Sequence, residues 1–329
     1  MFMHRVLSFG ELLLRFETYT NPKEFEGPTD LFKMYPGGSE ANVAVTLAAL
    51  NIPVSYFTVV PDHGMAKDVL EELKNRGIDT SRVLLEGDRI GLYFLQGSNG
   101  LTTGNVVYDR KFSSFYNMDE SSIDWDQLFE GHTWFHWTAI TPALSERWMC
   151  LMKKVLEEAR KRSLFISVDL NYRSRLWDFG IAPRQVMPEL VSFCDLIMGN
   201  IWASHIMLGT PIQEDFNRNT SKQEYHTFAE KISQELFHQF PQCNHIAHTF
   251  RFMDDPKHNL LYGTYHTRDG SWISGTHETK ELIDRIGSGD AFMGGLIAGL
   301  CKGYGSQEII ESATASGFRK LFVAGDFHE

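Results

Sequence analysis

The residues with the clearest chemical potential lie near the end of the chain, in the run Asp-Arg-Ile-Gly-Ser-Gly-Asp-Ala-Phe at 284–292. Glycines at 287 and 289 allow the backbone to turn tightly, and the small-residue helix predicted to begin there points its N–H groups and positive dipole end at one spot. This pattern predicts an anion hole. Asp290 is then close enough to take a proton from a hydroxyl group that attacks a phosphoryl group held in the hole. Taken alone, the run fits a helix-capping turn equally well.

A second glycine motif lies near the start of the chain, in the run Pro-Gly-Gly-Ser-Glu-Ala-Asn at 36–42. A backbone without side chains at Gly37 and Gly38 admits a ligand closely, and Asn42, one turn into the predicted helix, offers a donor and an acceptor to hydroxyl groups. A plain loop leading into a helix is the simpler interpretation of this motif alone. The two motifs together, at opposite ends of one chain, favour a shared site.

The elements that must position these motifs alternate along the chain. Short apolar runs predict strands at 6–9, 54–60, 133–138, 164–170, 196–198 and 245–250. Apolar residues three and four apart predict helices at 40–50, 66–76, 142–161, 222–240, 288–302 and 307–323. Strands that alternate with helices in this way predict an α/β fold with a mostly parallel sheet covered on both faces.

Two stretches break this alternation, at about 11–34 and 89–115, and both show the alternating pattern of strands. The pattern suits antiparallel strands that stand off the main sheet. An edge hairpin without function is one interpretation. Because the stretches flank the first glycine motif, we favour a lid over a site at the carboxyl ends of the strands.

Composition limits the classes of partner. The formal net charge of -11 argues against general nucleic-acid binding, so an anionic ligand needs its own Arg or Lys partners. The four cysteines form no CxxC pair, which predicts buried free thiols. No apolar run is long enough for a signal or membrane segment, so we expect a cytoplasmic protein. The absence of repeats and of Pro/Ser linkers predicts one domain over 1–329, and a homo-oligomer remains open.

The runs GGSEAN and DRIGSGDAF resemble the two signatures of the ribokinase-like (PfkB) carbohydrate kinases. Within that family the chain resembles most the 2-keto-3-deoxygluconate kinases, through GELLLRFE, GLYFLQ, VVYDRKFSSF, FHWTAITPALSE, DLNYRSRLW and the closing LFVAGDF. The resemblance implies a three-layer α/β sandwich with a small β-strand lid, ATP and Mg²⁺ as cofactors, and a small-molecule sugar acid as substrate.

The resemblance also implies a role for each residue that matches the family motifs. Asp290 is the implied catalytic base, and Gly287, Ser288 and Gly289 form the implied anion hole. The residues implied to surround the sugar are Gly38, Asn42, Tyr93, Tyr108, Arg110 and Arg173. Two guanidinium groups can bind the carboxylate of a keto-deoxy acid by paired, charge-assisted hydrogen bonds, although a solvated surface position is the simpler interpretation of either arginine alone.

The chain departs from the family pattern on the nucleotide side. The usual Asn-x-x-Glu element, whose Glu organises Mg²⁺ through water, is Asn-Ile-Trp-Ala at 200–203, so Asn200 remains and the Glu is absent. The usual lysine followed by two glycines is replaced by His-Thr-Phe-Arg at 248–251, which makes Thr249 and Arg251 the implied phosphate contacts. Ser288 stands where alanine is common.

Several functions remain open from the sequence. A related family kinase for fructose, ribose or 5-keto-2-deoxygluconate is the nearest alternative. A non-catalytic sugar sensor on the same fold is a second, because a fold does not determine a function. The intact GSGD turn argues against the sensor, since a binding protein needs no base beside an anion hole.

Overall fold

The structure is a computed structural model that describes residues 4–19, 31–96 and 105–327. The strands of this part of the chain are β1 (Val6–Phe9), β2 (Leu13–Tyr19), β3 (Leu31–Gly37), β4 (Val54–Phe57), β5 (Val59–Val60), β6 (Leu84–Leu85), β7 (Gly91–Gln96), β8 (Asn105–Asp109), β9 (Trp134–Thr138), β10 (Phe165–Asp169), β11 (Leu196–Gly199), β12 (His245–Phe252), β13 (Asn259–Thr267), β14 (Gly270–Ile273) and β15 (His277–Thr279).

The helices are α1 (Ser39–Ala49), α2 (Gly64–Asn75), α3 (Ser114–Asn117), α4 (Trp125–Phe129), α5 (Glu146–Lys161), α6 (Pro183–Val191), α7 (Ile201–Leu208), α8 (Lys222–Gln239), α9 (Ser288–Cys301) and α10 (Ser306–Lys320). Single 3₁₀ turns occur at Glu120–Ser122 and Pro142–Leu144. Helix α8 begins with a capping box, in which Ser221 accepts from the Glu224 N–H and Glu224 accepts from the Ser221 N–H.

The central sheet has the strand order β14-β13-β12-β11-β10-β9-β1-β4, with β15 paired to β13. From β4 to β12 all neighbours are parallel, as predicted, and their residues are almost entirely buried because helices cover both faces. One hydrophobic cluster packs against α5, α6 and α8, and the other against α1, α2, α9 and α10. The two clusters and the sheet form the predicted three-layer α/β sandwich.

A separate four-stranded sheet, which we call the lid sheet, has the order β3-β2-β7-β8. It confirms that the two irregular stretches form strands off the main sheet, but β2 and β7 pair in parallel, so the prediction of purely antiparallel strands is wrong. Residues 20–30 and 97–104 of the predicted lid stretches lie outside the described residues. The end of the second stretch, 110–115, leaves the lid sheet and leads into α3.

Other boundaries also differ from the predictions. The predicted strand 54–60 divides into β4 and β5, and β5 pairs with β6 in a small sheet of its own. The predicted helix 142–161 is a 3₁₀ turn followed by α5, because the Ser145 hydroxyl accepts the Trp148 N–H and caps a new helix. Cys150 is exposed, so the prediction of buried thiols fails for that residue. None of the helices in the described part of the chain combines the length and apolar character that a bilayer crossing requires.

Candidate active site

A cavity of about 720 Å³ lies at the carboxyl ends of the parallel strands, beneath the lid sheet. Residues after β10 and β11, residues of β12, lid residues, and the first turns of α1 and α9 line its wall. Every predicted site residue lines this one cavity: Gly38, Asn42, Tyr93, Tyr108, Arg110, Arg173, Asn200, Thr249, Arg251, Gly287, Ser288, Gly289 and Asp290. The fold thus joins two glycine motifs that are about 250 positions apart in the sequence, as the 251-residue separation of Ser39 and Asp290 shows.

The start of α9 contributes Gly287 to Asp290 to the wall of the cavity. Gly287 has a φ of +82°, and a Cβ there would lie 2.4 Å from the backbone oxygen of Asp326, so glycine is required. Gly289 already lies within α9, and a Cβ there would meet nothing within 4 Å. The turn therefore does not require glycine at this position, and the lack of a side chain leaves the cavity open. The N–H groups of Gly289 and Asp290 have no acceptor among the described residues and carry the positive end of the helix dipole.

Ser288 is engaged in the fold. Its N–H donates to the Arg285 carbonyl over 3.3 Å, and its hydroxyl donates to the Gly317 carbonyl over 2.9 Å. The prediction that Ser288 supplies a donor to the anion hole is therefore not supported by its contacts, because both donors already have acceptors. The open donors of the hole are the next two backbone N–H groups of the helix.

Asp290 is 8% exposed and accepts two short hydrogen bonds from α1. The Ser39 hydroxyl donates to Oδ1 and the Asn42 amide donates to Oδ2, each over 2.6 Å. Burial raises the pKa of Asp290 above its usual value, while these hydrogen bonds and the charge of Arg173 act to lower it. A buried carboxylate with a raised pKa beside an open anion hole is suited to accept a proton.

The glycines before α1 have a packing role that the sequence did not reveal. A Cβ at Gly37 would lie 2.3 Å from the Asp326 carboxylate, and one at Gly38, where φ is +128°, would lie 2.4 Å from the Glu11 carbonyl. Protein atoms therefore occupy the space that the sequence analysis assigned to a ligand at these two positions. Gly38 still lines the cavity through its backbone.

Two further carboxylates near Asp290 were not predicted. Asp169 ends β10 and lines the cavity, and Glu40 lies in the first turn of α1. Burial and the charge of Asp290 raise the pKa of Asp169 to about 7, and burial raises the pKa of Glu40 to about 7 against a hydrogen bond from Thr138. The sequence signal for Asp169 was its position at the end of a buried strand.

The cations of the cavity differ in their pairing. Arg173 and Arg251 are exposed and form no ion pair with the described residues; Arg173 donates only to the Tyr172 carbonyl, over 3.2 Å. Removal of water and the charges of Arg285 and Arg173 lower the pKa of Arg251 to about 10. Arg173 and Arg251, both without an ion pair in the described part of the chain, bring positive charge to this wall of the cavity.

Arg110, the second guanidinium predicted to bind the acid group, already has a carboxylate partner. It is 5% exposed, and its Nε donates to the Glu11 carboxylate over 2.6 Å, while the Ser113 hydroxyl donates to the same carboxylate over 2.5 Å. The charge of Arg110 is thus compensated inside the protein. Its remaining N–H groups can still reach a ligand in the cavity, but they bring no net charge to it.

Comparison with known proteins identifies the class of protein that this geometry belongs to. The family model described as "pfkB family carbohydrate kinase" matches residues 3–238. The chain belongs to the pfkB family of carbohydrate kinases. It is therefore a phosphotransferase that acts on an alcohol group.

Individual relatives of this carbohydrate kinase cover almost the whole chain. The 2-dehydro-3-deoxygalactonokinase of Haloferax volcanii is 24% identical over 98% of this chain and 92% of its own length. The 2-dehydro-3-deoxygluconokinase of Bacillus subtilis is 25% identical over 97% of this chain and 90% of its own. The crystal structure of 2-dehydro-3-deoxygluconokinase from Thermotoga maritima superposes with a TM-score of 0.86 at 28% identity, covering 99% of this chain and 96% of that one.

The lid tyrosines of the kinase face each other across β7 and β8, with ring centroids 6.4 Å apart. Tyr93 is buried, and its hydroxyl donates to the Asp326 carboxylate over 2.5 Å. Asp326 also lines the cavity and lies 3.2 Å from Arg15, a fully buried arginine of β2. Tyr93 therefore joins the lid to the C-terminal segment, and Tyr108 remains the more accessible of the pair.

The residues predicted for the nucleotide side of the kinase lie at the ends of β11 and β12. Asn200 caps α7, because its Oδ1 accepts the Ala203 N–H over 2.8 Å, which leaves its amide N–H₂ as the group open to a ligand. Thr249 and Arg251 belong to β12 and line the cavity. Trp202, which was not predicted, is 39% exposed and lines the same wall.

Proposed function

We propose that this kinase transfers the γ-phosphoryl group of ATP to the C6 hydroxyl of 2-keto-3-deoxygluconate, with Asp290 as the general base. The observation that carries the proposal is the juxtaposition of a buried, hydrogen-bonded Asp290, the open N–H groups of α9 and an unpaired Arg173 in one cavity. A related kinase for fructose, ribose or 5-keto-2-deoxygluconate is the alternative.

The base acts on the attacking hydroxyl. The sugar O–H bond breaks as its proton passes to the Asp290 carboxylate, and the oxygen forms a bond to the γ-phosphorus while the bond to the ADP oxygen breaks. Asn42 Oδ1 is buried and has no hydrogen-bond partner among the described residues. A hydroxyl of the bound sugar would satisfy this acceptor, since the amide N–H₂ of Asn42 is held by Asp290.

The phosphates of ATP would lie between the start of α9 and Arg251. Fixed N–H donors and a helix dipole stabilise charge on the transferring group, and an unpaired guanidinium binds phosphate by paired hydrogen bonds. No group of three or more metal-ligating side chains occurs among residues 4–19, 31–96 and 105–327. This fits a Mg²⁺ ion held mainly by the nucleotide phosphates and water, with Asn200 nearby, and the ion would neutralise phosphate charge.

The acid group of the substrate would bind to Arg173. It is an exposed cation that lines the cavity, forms no ion pair with the described residues, and exerts its charge on both Asp290 and Asp169. In a protein of net charge -11, such a local cation is what an anionic sugar requires. Arg110 would add neutral hydrogen bonding rather than half of a charged clamp. The relatives named for keto-deoxy sugar acids support an acid substrate.

A coupled ADP-release assay over a panel of sugars tests the proposal. The panel contains 2-keto-3-deoxygluconate, its galactonate epimer, 5-keto-2-deoxygluconate, fructose and ribose. We expect the highest kcat/KM with a keto-deoxy sugar acid and little ADP release without sugar. A preference for fructose or ribose over every acid would contradict the sugar-acid proposal, and ADP release with no member of the panel would favour the sugar sensor.

A further inference from the structure

Ser39, the first residue of α1, links the proposed base to the end of β10. Its hydroxyl donates to Asp290 Oδ1 over 2.6 Å, and its oxygen accepts from the Asn171 amide over 2.8 Å. The backbone N–H of Asn171 in turn donates to Asp169 over 2.9 Å. Because Asn171 occupies a lone pair of the Ser39 oxygen, the hydroxyl hydrogen is directed toward Asp290.

The surroundings of Asp290 show why such a donor matters. Asp290 shares its buried environment with Asp169 and Glu40, whose pKa values are raised to about 7. Burial and like charges both favour the protonated form of a carboxyl group, and a protonated Asp290 cannot accept a proton from the substrate. Two short hydrogen bonds to the carboxylate oppose this tendency, one from the Asn42 amide and one from the Ser39 hydroxyl, and the charges of Arg173 and Lys320 act in the same direction.

The two donors are not equivalent. The Asn42 N–H₂ group can only donate, whereas a serine hydroxyl can donate to the ionised carboxylate and turn to accept from the protonated one. Ser39 can therefore keep contact with Asp290 before and after proton transfer. A hydrogen-bonded chain that runs from an amide through a hydroxyl to a charge is also stronger than its separate bonds.

We infer that Ser39 is a positioning residue of the transfer reaction, which holds Asp290 ionised and oriented for the attacking hydroxyl through the Asn171–Ser39–Asp290 chain. This inference rests on the proposed role of Asp290 as base. Ser39 itself would not touch the reacting atoms and would act only through Asp290.

The test is the pH dependence of kcat/KM for the Ser39→Ala variant. Loss of a charge-assisted hydrogen bond should lower kcat about tenfold on the acid limb of the profile and leave KM for the sugar within about threefold. Since Asp290 loses a donor that favours its ionised form, the acid limb of the profile should move to higher pH, and the rate should approach that of the wild type in alkali. A loss that is uniform across pH, with the limb unmoved, would overturn the inference.

Two further proteins separate the possible failures. In an Asp290→Asn background, Ser39→Ala should reduce the residual rate less than about twofold, because no carboxylate remains to be held; a full tenfold loss would show a role independent of Asp290 and overturn the inference. Near wild-type turnover of Asp290→Asn alone would instead overturn the base assignment in the proposed function, and the Ser39 inference with it. Ser233→Ala is the matched control, since it removes a buried serine hydroxyl of α8 that bonds to the Ala229 carbonyl and to the His248 ring, and it should leave the acid limb in place.

Discussion

The arginines of the lid region form ion pairs with carboxylates, whereas two at the ends of the parallel strands form none in the part of the chain that the structure describes. Arg15 has no exposed surface and lies 2.6 Å from Asp284 and 3.2 Å from Asp326. Arg110 is similarly buried and lies 2.6 Å from Glu11. Arg173 and Arg251 line the same cavity, are exposed, and form no ion pair among the described residues.

This difference separates charges that hold the fold from charges that are available to a ligand. A buried ion pair is neutral to its surroundings, and removal of one partner leaves the other as an uncompensated charge. An unpaired arginine in a cavity keeps its field and its five donors for an incoming anion. We therefore expect the paired arginines to affect stability and the open arginines to affect substrate use.

Asp290→Asn should have the largest effect, because a substrate held by the open arginines still needs a base to accept the proton of its hydroxyl group. We expect kcat to fall about 10²- to 10⁴-fold while sugar and ATP binding stay within a small factor. The free energy of unfolding should not fall, since burial disfavours the charge of Asp290, as its raised pKa indicates. Steady-state kinetics and urea unfolding measure both quantities, and turnover close to that of the wild type would remove Asp290 from the mechanism.

Arg15→Met should have the next largest effect, on the paired side of the comparison. Asp284 and Asp326 would lose their buried partner, so the free energy of unfolding should fall by about 3 to 5 kcal/mol. Urea unfolding at pH 7 measures the change. Asp326→Asn in the same background should recover part of it, and a loss below about 1 kcal/mol would show that pairing does not decide the role of these arginines.

Arg173→Ala should reduce the preference of the enzyme for sugar acids over neutral sugars. If the guanidinium binds the acid group, kcat/KM for 2-keto-3-deoxygluconate should fall roughly 30- to 4,000-fold, which is about 2 to 5 kcal/mol, while a neutral ketose loses far less. Unfolding should change by less than about 0.5 kcal/mol, as expected for an exposed side chain.

Arg110→Ala is the matched control for this comparison. It should reduce activity on acids and neutral sugars alike, because it removes a side chain of the cavity wall and leaves the buried Glu11 carboxylate without this partner. Equal losses on both kinds of substrate in Arg173→Ala as well would contradict the open-cation account.

Arg251→Met should have the smallest effect of these substitutions, a moderate loss in nucleotide use with little change in stability. Its pKa is lowered to about 10 by loss of water and by Arg285 and Arg173, so at pH 7, below the folded and unfolded pKa values, the folded state disfavours its charge. Removal should leave stability unchanged or raise it by less than about 1 kcal/mol, because solvent screens an exposed group. The KM for ATP should rise about tenfold. A destabilised variant with normal KM for ATP would reverse this assignment.

The site residues implied by the family resemblance all line the cavity, but their ion pairs could not be read from the sequence. Glycines and an aspartate at fixed spacing carry the signal for α9, whereas Arg173, Asn200 and Arg251 were implied only by the resemblance to the carbohydrate kinases. Parallel strands bring their carboxyl ends to one edge, which places these residues in the cavity. The partner of Arg110 could not be predicted, since Glu11 lies 99 positions away and only the lid packing joins them.

The strand pairing in the lid sheet and at the far edge of the central sheet could not be predicted from the sequence patterns either. Period-two alternation identifies β2 and β7 as strands but does not show that they pair in parallel. The strands β13 to β15 continue the sheet in antiparallel fashion after β12, where the polar surroundings of 251–258 obscured the pattern. The burial of Glu40 also depends on tertiary packing, since α1 places this charged residue against the Thr138 hydroxyl at the end of β9.

The most direct test of the central claim is to identify the product that wild-type enzyme forms from ATP and 2-keto-3-deoxygluconate. Phosphorus–proton correlation by NMR locates the new phosphate ester. We expect one ester at C6 for each ADP formed, because the proposed base would receive the hydroxyl group farthest from an acid group bound to Arg173. An ester at another carbon, or no ester from any sugar acid while a neutral ketose is phosphorylated, would contradict it.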